Sequence, residues 1–131
     1  MTLFQDDSLI LHTDLYQINM MQVYFDQNIH NKNAVFEVYF RSQPFKNGYA
    51  VFAGLERVVD YLNNLRFSQT DIDYLTELGY PQDFLDYLAK LEMTLTVRSA
   101  KEGDFVYANE PILQLEGPLA QCQLIETALL N

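Results

Sequence analysis

Leu11-His12-Thr13-Asp14-Leu15-Tyr16-Gln17-Ile18-Asn19-Met20-Met21 is the stretch on which the reading of the fold turns. It opens a helix. Thr13 or Asp14 is placed to cap it, because a short side-chain oxygen accepts a bond from a free N–H of the first turn. The helix expected from about Asp14 to Gln27 is more apolar than a surface helix requires. Leu15, Ile18, Gln22 and Phe25 mark one stripe, and Tyr16, Met20 and Tyr24 a second. Apolar residues on two faces need two packing partners. One is the domain's own sheet; the other is a partner chain or a second domain. Tyr16 falls in the first turn, near the positive end of the helix dipole, where an anion is favoured. On physics alone it reads as a partly buried tyrosine with its hydroxyl tied down.

Outward from this helix the chain alternates helical and extended patterns. Residues 1–12 carry Asp6, Asp7 and Ser8 without periodicity and read as an arm. Residues 13–92 read as helices plus one strand. His30 to Asn33 is a polar loop. Ala34 to Arg41 alternates, with Ala34, Phe36, Val38 and Phe40 on one face and Val35, Glu37, Tyr39 and Arg41 on the other. Turn residues break it from Gln43 to Gly48. The short run Tyr49 to Phe52 either pairs with that strand or leads into the next helix, Gly54 to Arg66, whose stripe is Leu55, Val58, Val59, Leu62 and Leu65. Ser68 and Asp71 form a capping-box pattern. Gly79 suits the left-handed residue past a helix end, and Pro81 a first helical position, with Phe84, Leu85, Leu88 and Leu91 as the stripe that follows. Residues 93–117 are strand-rich, with segments at Thr94–Arg98, Phe105–Tyr107 and Ile112–Glu116. Gly117-Pro118 ends the sheet run, and residues 118–131 form a helix with Leu119, Cys122, Ile125 and Leu129 on one face. No stop signal follows Leu130, so this helix reads as cut at its C-terminus and the chain as a fragment of a longer one. The fold class expected is α+β, a small mainly antiparallel sheet flanked by helices, in a single domain.

With 131 residues, 49% hydrophobic and 14% aromatic, the chain can bury a core. No apolar run approaches the length that spans a bilayer. The lone Cys122 excludes an internal disulfide and reads as a small buried residue, with the cytoplasm as default compartment. The net charge of −10 repels nucleic acid and anionic membranes, so neither is an expected partner. There is no phosphate-binding glycine loop. His12 and His30 have no zinc-ligand spacing, so no metal site is expected, and the serines fall in no nucleophile-elbow pattern. Acidic residues lie mostly on helix surfaces, where solvation explains them. Residue chemistry alone gives an α+β domain without a catalytic centre. Arg41 is the second candidate after Tyr16. It either pairs with Glu37 along its face or grips phosphate oxygens with its guanidinium fork.

Five blocks nevertheless fall in a recognisable order. Thr13-Asp14-Leu15-Tyr16-Gln17, Phe36 to Arg41, Gly48 to Glu56, Asn109-Glu110-Pro111 with Glu116-Gly117-Pro118, and Glu126 to Leu130 together resemble the N-terminal domain of nicotinate phosphoribosyltransferase. The resemblance runs from about Leu9 to the last residue. It implies the α/β-hammerhead-like N-terminal domain of type II phosphoribosyltransferases, with the barrel domain absent. It implies an enzyme that joins nicotinate to phosphoribosyl pyrophosphate, forming nicotinate mononucleotide and pyrophosphate in NAD salvage, coupled to ATP hydrolysis with Mg2+. In the family a tyrosine matching Tyr16 stacks on the nicotinate ring and an arginine matching Arg41 reaches substrate phosphates. Both act across the interface of a homodimer whose composite site is completed by the neighbour's barrel. Asp14 matches a family position too, where it orients nearby groups or simply caps its helix. The family's phosphorylated histidine has no match here, so the chain alone is expected to bind no ATP and to be inactive. The acidic balance agrees: either the site's basic groups lie mostly elsewhere, or the chain does not hold a complete site. The competing reading is a non-catalytic dimerisation or regulatory module derived from that enzyme.

Overall fold

The computed structural model describes residues 8–131. Helix α1 spans Leu15–Asp26 and strand β1 Asn33–Val38; a single 3-10 turn, Pro44–Lys46, precedes strand β2, Ala50–Val51. Three helices follow, α2 (Leu55–Asn64), α3 (Gln69–Glu77) and α4 (Gln82–Ala89). Strands β3 (Thr96–Ser99), β4 (Phe105–Val106) and β5 (Leu113–Pro118) lead to α5, Leu119–Leu130. The fold class is therefore α+β, as the patterning indicates. The central sheet is antiparallel in the order β1-β5-β3, and β2 pairs with β4 in a separate two-stranded ribbon.

Alternation sets the two faces of the sheet. Phe36 lies opposite Leu115 and Val38 opposite Leu113, and these side chains face the core with Ala34 and Val97. On the other face, Asn33 Nδ2 and Arg98 Nη1 donate to Glu116 at 3.2 and 2.6 Å, and Gln114 Nε2 donates to Glu37 at 3.0 Å. Helix α5 covers the inner face, and α1 packs against α5 instead of against the sheet expected as its partner. Ile18 and Met21 of α1, Cys122 and Ile125 of α5, and Phe84, Leu85 and Leu88 of α4 join one buried cluster with Leu62, Leu75 and Ile10. Ile10 is 1% exposed, so the expected arm contributes to the core from that residue on; Met1 to Asp7, with Asp6 and Asp7, lie outside the described residues.

Local chemistry terminates the helices where the sequence indicates. Ser68 Oγ accepts from the Asp71 N–H and the Asp71 carboxylate accepts from the Ser68 N–H, closing a capping box on α3. Gly79, at φ +88°, ends that helix, with its N–H on the Thr76 carbonyl and the Tyr80 N–H on the Leu75 carbonyl. Pro81 stands at the N-cap of α4, one position before the expected one.

Four expectations change. On α1 the buried residues are Gln17, Ile18 and Met21, whereas Leu15 and Tyr16 are half exposed. Of the two readings of the Tyr49–Phe52 run, pairing with β1 is not met: Ala50 and Val51 pair with β4, and the run then leads toward α2. Gly117 and Pro118 lie within β5, opposite Ala34 and Asn33; a Cβ at Gly117 would stand 2.9 Å from Leu95 Cδ2, so the tip of the Leu95 side chain would have to move to admit one. His30 is buried despite its polar neighbours. Its ring stacks edge-on against Tyr87 at 4.9 Å, and its carbonyl accepts the Ala120 N–H that starts α5.

Candidate functional site

The first turn of α1 lies against the last turns of α5. Asp14 is the N-cap residue by backbone geometry, yet its carboxylate does not cap. It accepts instead from the Thr127 hydroxyl at 3.1 Å, and the Thr13 hydroxyl donates to the Leu124 carbonyl at 3.1 Å. Both expected caps are thus corrected. Tertiary partners on α5 win, because a hydroxyl and a free carbonyl there offer bonds that also hold the two helices together.

Between these helices lies a seam of amides. Gln17, fully buried, donates from Nε2 to the Tyr16 hydroxyl at 2.7 Å and to Thr127 Oγ1 at 3.2 Å. Its Oε1 accepts from Gln123 Nε2. Gln123, 6% exposed, also donates from Nε2 to Glu126 at 3.0 Å and accepts from the Tyr24 hydroxyl at 3.1 Å. Every polar atom of both amides is bonded, as burial demands. The seam joins Asp14 to Tyr16 and holds the Tyr16 ring 50% exposed at the start of the helix. Reading α1 by its apolar stripes passed over this feature. The signal was present as two glutamines inside apolar helical runs.

Arg41 is not part of the seam. Strand β1 ends at Val38, three residues short of the expected end, and Arg41 lies exposed in the loop beyond. The ladder stops because β5 begins at Leu113. Before it, the turn at Asn109 (φ +63°) and Pro111 takes over, with Asn109 N–H on the Phe40 carbonyl and Ile112 N–H on the Val38 carbonyl, each at 2.8 Å. Glu37 bonds Gln114, and among the described residues no ion pair joins it to Arg41. Val38 shares a groove with Glu126, Leu129 and Leu130. The Arg41 loop therefore leaves the sheet at the end where Thr127 holds Asp14.

Beyond Arg41 the backbone is unusual. Phe45 and Lys46 both have left-handed φ, +57° and +58°, and Phe45 is 92% exposed. Tyr49 then packs on Phe105 across the ribbon, ring centroids 4.6 Å apart. The Glu102 carboxylate, in the turn between β3 and β4, accepts the Gly54 and Leu55 N–H groups at 2.8 and 2.6 Å, so it caps α2 from across the fold. Burial raises the Cys122 thiol above its ordinary pKa, which suits a packing residue. Among the described residues no group of three or more His, Cys, Asp or Glu side chains is placed to hold a metal ion.

Fold and site together define a small α+β domain in which the start of α1, carrying Asp14 and the half-exposed Tyr16, is held against the last turns of α5. Residues 11–131 match the family model of the nicotinate phosphoribosyltransferase (NAPRTase) N-terminal domain. The chain belongs to the nicotinate phosphoribosyltransferase family. It is 57% identical over 129 residues to nicotinate phosphoribosyltransferase of Bacillus subtilis, covering 98% of this chain and 26% of that protein. It is 44% identical to the Caenorhabditis elegans nicotinate phosphoribosyltransferase, covering 95% of this chain and 23% of the relative. Its fold superposes on the crystal structure of human nicotinic acid phosphoribosyltransferase with a TM-score of 0.83 and 35% identity, over 89% of this chain and 24% of that one. The chain thus spans about a quarter of the length of the relatives it matches. No helix among the described residues is long and apolar enough to cross a membrane.

Proposed function

We propose that this chain is the N-terminal part of a cytoplasmic nicotinate phosphoribosyltransferase that makes nicotinate mononucleotide from nicotinate and phosphoribosyl pyrophosphate, with ATP hydrolysis, in NAD salvage. The observation that carries the reading is the half-exposed Tyr16 ring, fixed by Gln17 at the start of α1, inside a chain that matches this family from residue 11 to 131. Tyr16 stacks on the nicotinate ring, Arg41 takes substrate phosphate, and Asp14 orients the first turn through Thr127. Their contribution is positioning and electrostatic stabilisation of the charge that develops as pyrophosphate leaves. ATP and Mg2+ belong to the remainder of the enzyme. The domain works in a homodimer, where its exposed end completes the neighbour's site. The 131-residue chain alone does not turn over.

The test is nicotinate mononucleotide formation from nicotinate, phosphoribosyl pyrophosphate and ATP. It compares this chain, a version extended to the length of the relatives, and that longer version with Tyr16→Ala or Arg41→Ala. Turnover from the longer protein alone, with losses of about 100-fold or more in each variant, is the expected outcome. An inactive longer protein, or variants with normal turnover, overturns the site assignment and favours a dimerisation or regulatory module.

A further inference from the structure

The seam between α1 and α5 has a direction, and that direction is set by its two ends. Asp14 and Glu126 are carboxylates, which accept hydrogen bonds and donate none. Glu126 therefore receives an N–H from Gln123, which places Gln123 Nε2 on that side and at Gln17 as well. Gln17 must then turn Oε1 toward Gln123 and Nε2 toward Tyr16 and Thr127. From the other end, Thr127 spends its single hydroxyl proton on Asp14, so it can only accept from Gln17. Gln123 cannot be flipped without turning its oxygen toward the Glu126 carboxylate, and Gln17 cannot be flipped without setting its oxygen against a Thr127 hydroxyl whose proton is already on Asp14. One consequence follows for Tyr16. Its hydroxyl oxygen accepts from Gln17, so its own proton is unspent, on a side chain that is half exposed.

We propose that Gln17 is a positioning residue that makes the Tyr16 hydroxyl an outward hydrogen-bond donor to an anionic oxygen of the bound substrate. This rests on the reading of Tyr16 as substrate-facing and adds to it. Stacking by the ring alone would leave a phenylalanine equally suitable. A buried glutamine with both amide protons committed is a costly way to hold a ring, and it is explained by fixing which way the hydroxyl points. The acceptor is a carboxylate or phosphate oxygen, and the two differ in which substrate carries them.

The experiment uses the full-length enzyme with Tyr16→Phe, Gln17→Glu, both together, and Tyr16→Ala. It reads KM for nicotinate, KM for phosphoribosyl pyrophosphate, and kcat. Tyr16→Phe should raise one of the two KM values by about 10- to 100-fold, as loss of a hydrogen bond to a charged group does. A rise for nicotinate identifies a carboxylate acceptor; a rise for phosphoribosyl pyrophosphate identifies a phosphate. Gln17→Glu should raise the same KM, because the new carboxylate accepts from Tyr16 and draws its proton inward. The double variant should be no worse than the single ones, since both remove the same bond. The proposal falls if Tyr16→Phe leaves both KM values within twofold of the parent while Tyr16→Ala loses turnover, which leaves stacking intact. It falls also if the two single effects multiply. If Tyr16→Ala is silent as well, the substrate-facing reading itself fails. Should Gln17→Glu not fold, Gln17→Met takes its place: it cannot donate to the Tyr16 hydroxyl, so the same KM should rise, and an unchanged KM overturns the positioning role.

Discussion

The α1–α5 seam and the loop from Arg41 to the β2–β4 ribbon carry the two candidate substrate groups in opposite ways. Tyr16 and Asp14 hang on buried amides whose donors and acceptors are all used. Arg41 sits on an exposed loop that continues into two left-handed residues and a two-stranded ribbon. The difference teaches where precision resides. Tyr16 is set by the domain itself, before any partner arrives. Arg41 lies exposed in the loop after β1, outside that network. A stacking group tolerates little misplacement, whereas a long guanidinium can reach.

If that contrast is right, the seam should be the more sensitive region. Gln123→Leu orphans the Tyr24 hydroxyl and Gln17 Oε1 and strips one bond from Glu126. It should lower the unfolding free energy by about 1–3 kcal/mol, read from urea denaturation. A loss below about 0.5 kcal/mol would mean that water replaces the amide freely and the seam is not rigid. Glu102→Ala is the matching change beside the ribbon. It removes the cap on α2 held by two N–H groups, for an expected loss of about 1 kcal/mol. Hydrogen exchange should then quicken at Gly54 and Leu55 while the amides of α1 stay protected. Phe45→Gly should do least among the three, and with the opposite sign. The left-handed backbone at φ +57° strains a phenylalanine by about 1–2 kcal/mol, while glycine raises the entropy of the unfolded chain by about half as much. With the ring 92% exposed there is little packing to lose, so the variant should be neutral or stabilised by about 0.5 kcal/mol. A clear destabilisation would show that Phe45 is packed in solution and would erase the contrast.

How much of this was legible from sequence divides along the same line. The inner face of β1 shows in the alternation of Ala34, Phe36 and Val38, and the ends of α3 show in Ser68, Asp71 and Gly79, because each depends on neighbours within a few residues. The seam does not show in that way. Gln17 finds its partner Gln123 across 106 positions, and a stripe search treats both as gaps in an apolar pattern. Glu102 reaches α2 across 47 positions with no local cue. Thr13 and Asp14 illustrate the reverse error, since a correct local rule was outbid by α5. Of the site, Tyr16 and Asp14 prove to be linked neighbours, and Arg41 lies at the same end of the fold but outside their network. Their chemical roles come from the family and rest on the assays above.

The smallest effect belongs to a pair outside both regions, and it calibrates them. On the outer face of the sheet, hydrogen bonds from Arg98 and Asn33, with the Arg98 charge, hold the Glu116 carboxyl below its ordinary pKa of 4.5. The sign is that of a carboxylate favoured in the folded state. Its contribution is present above the unfolded pKa and is lost as pH falls through the lower folded value. The pair is exposed and therefore screened, so its removal should hardly move the unfolding midpoint at pH 7. Arg98→Ala should instead raise the Glu116 pKa toward its ordinary value, seen by carboxyl NMR titration, with the effect shrinking as salt is added. If this exposed pair proved as costly to break as Gln123, burial would not be what distinguishes the seam. The rigidity assigned to Tyr16 would then need another cause.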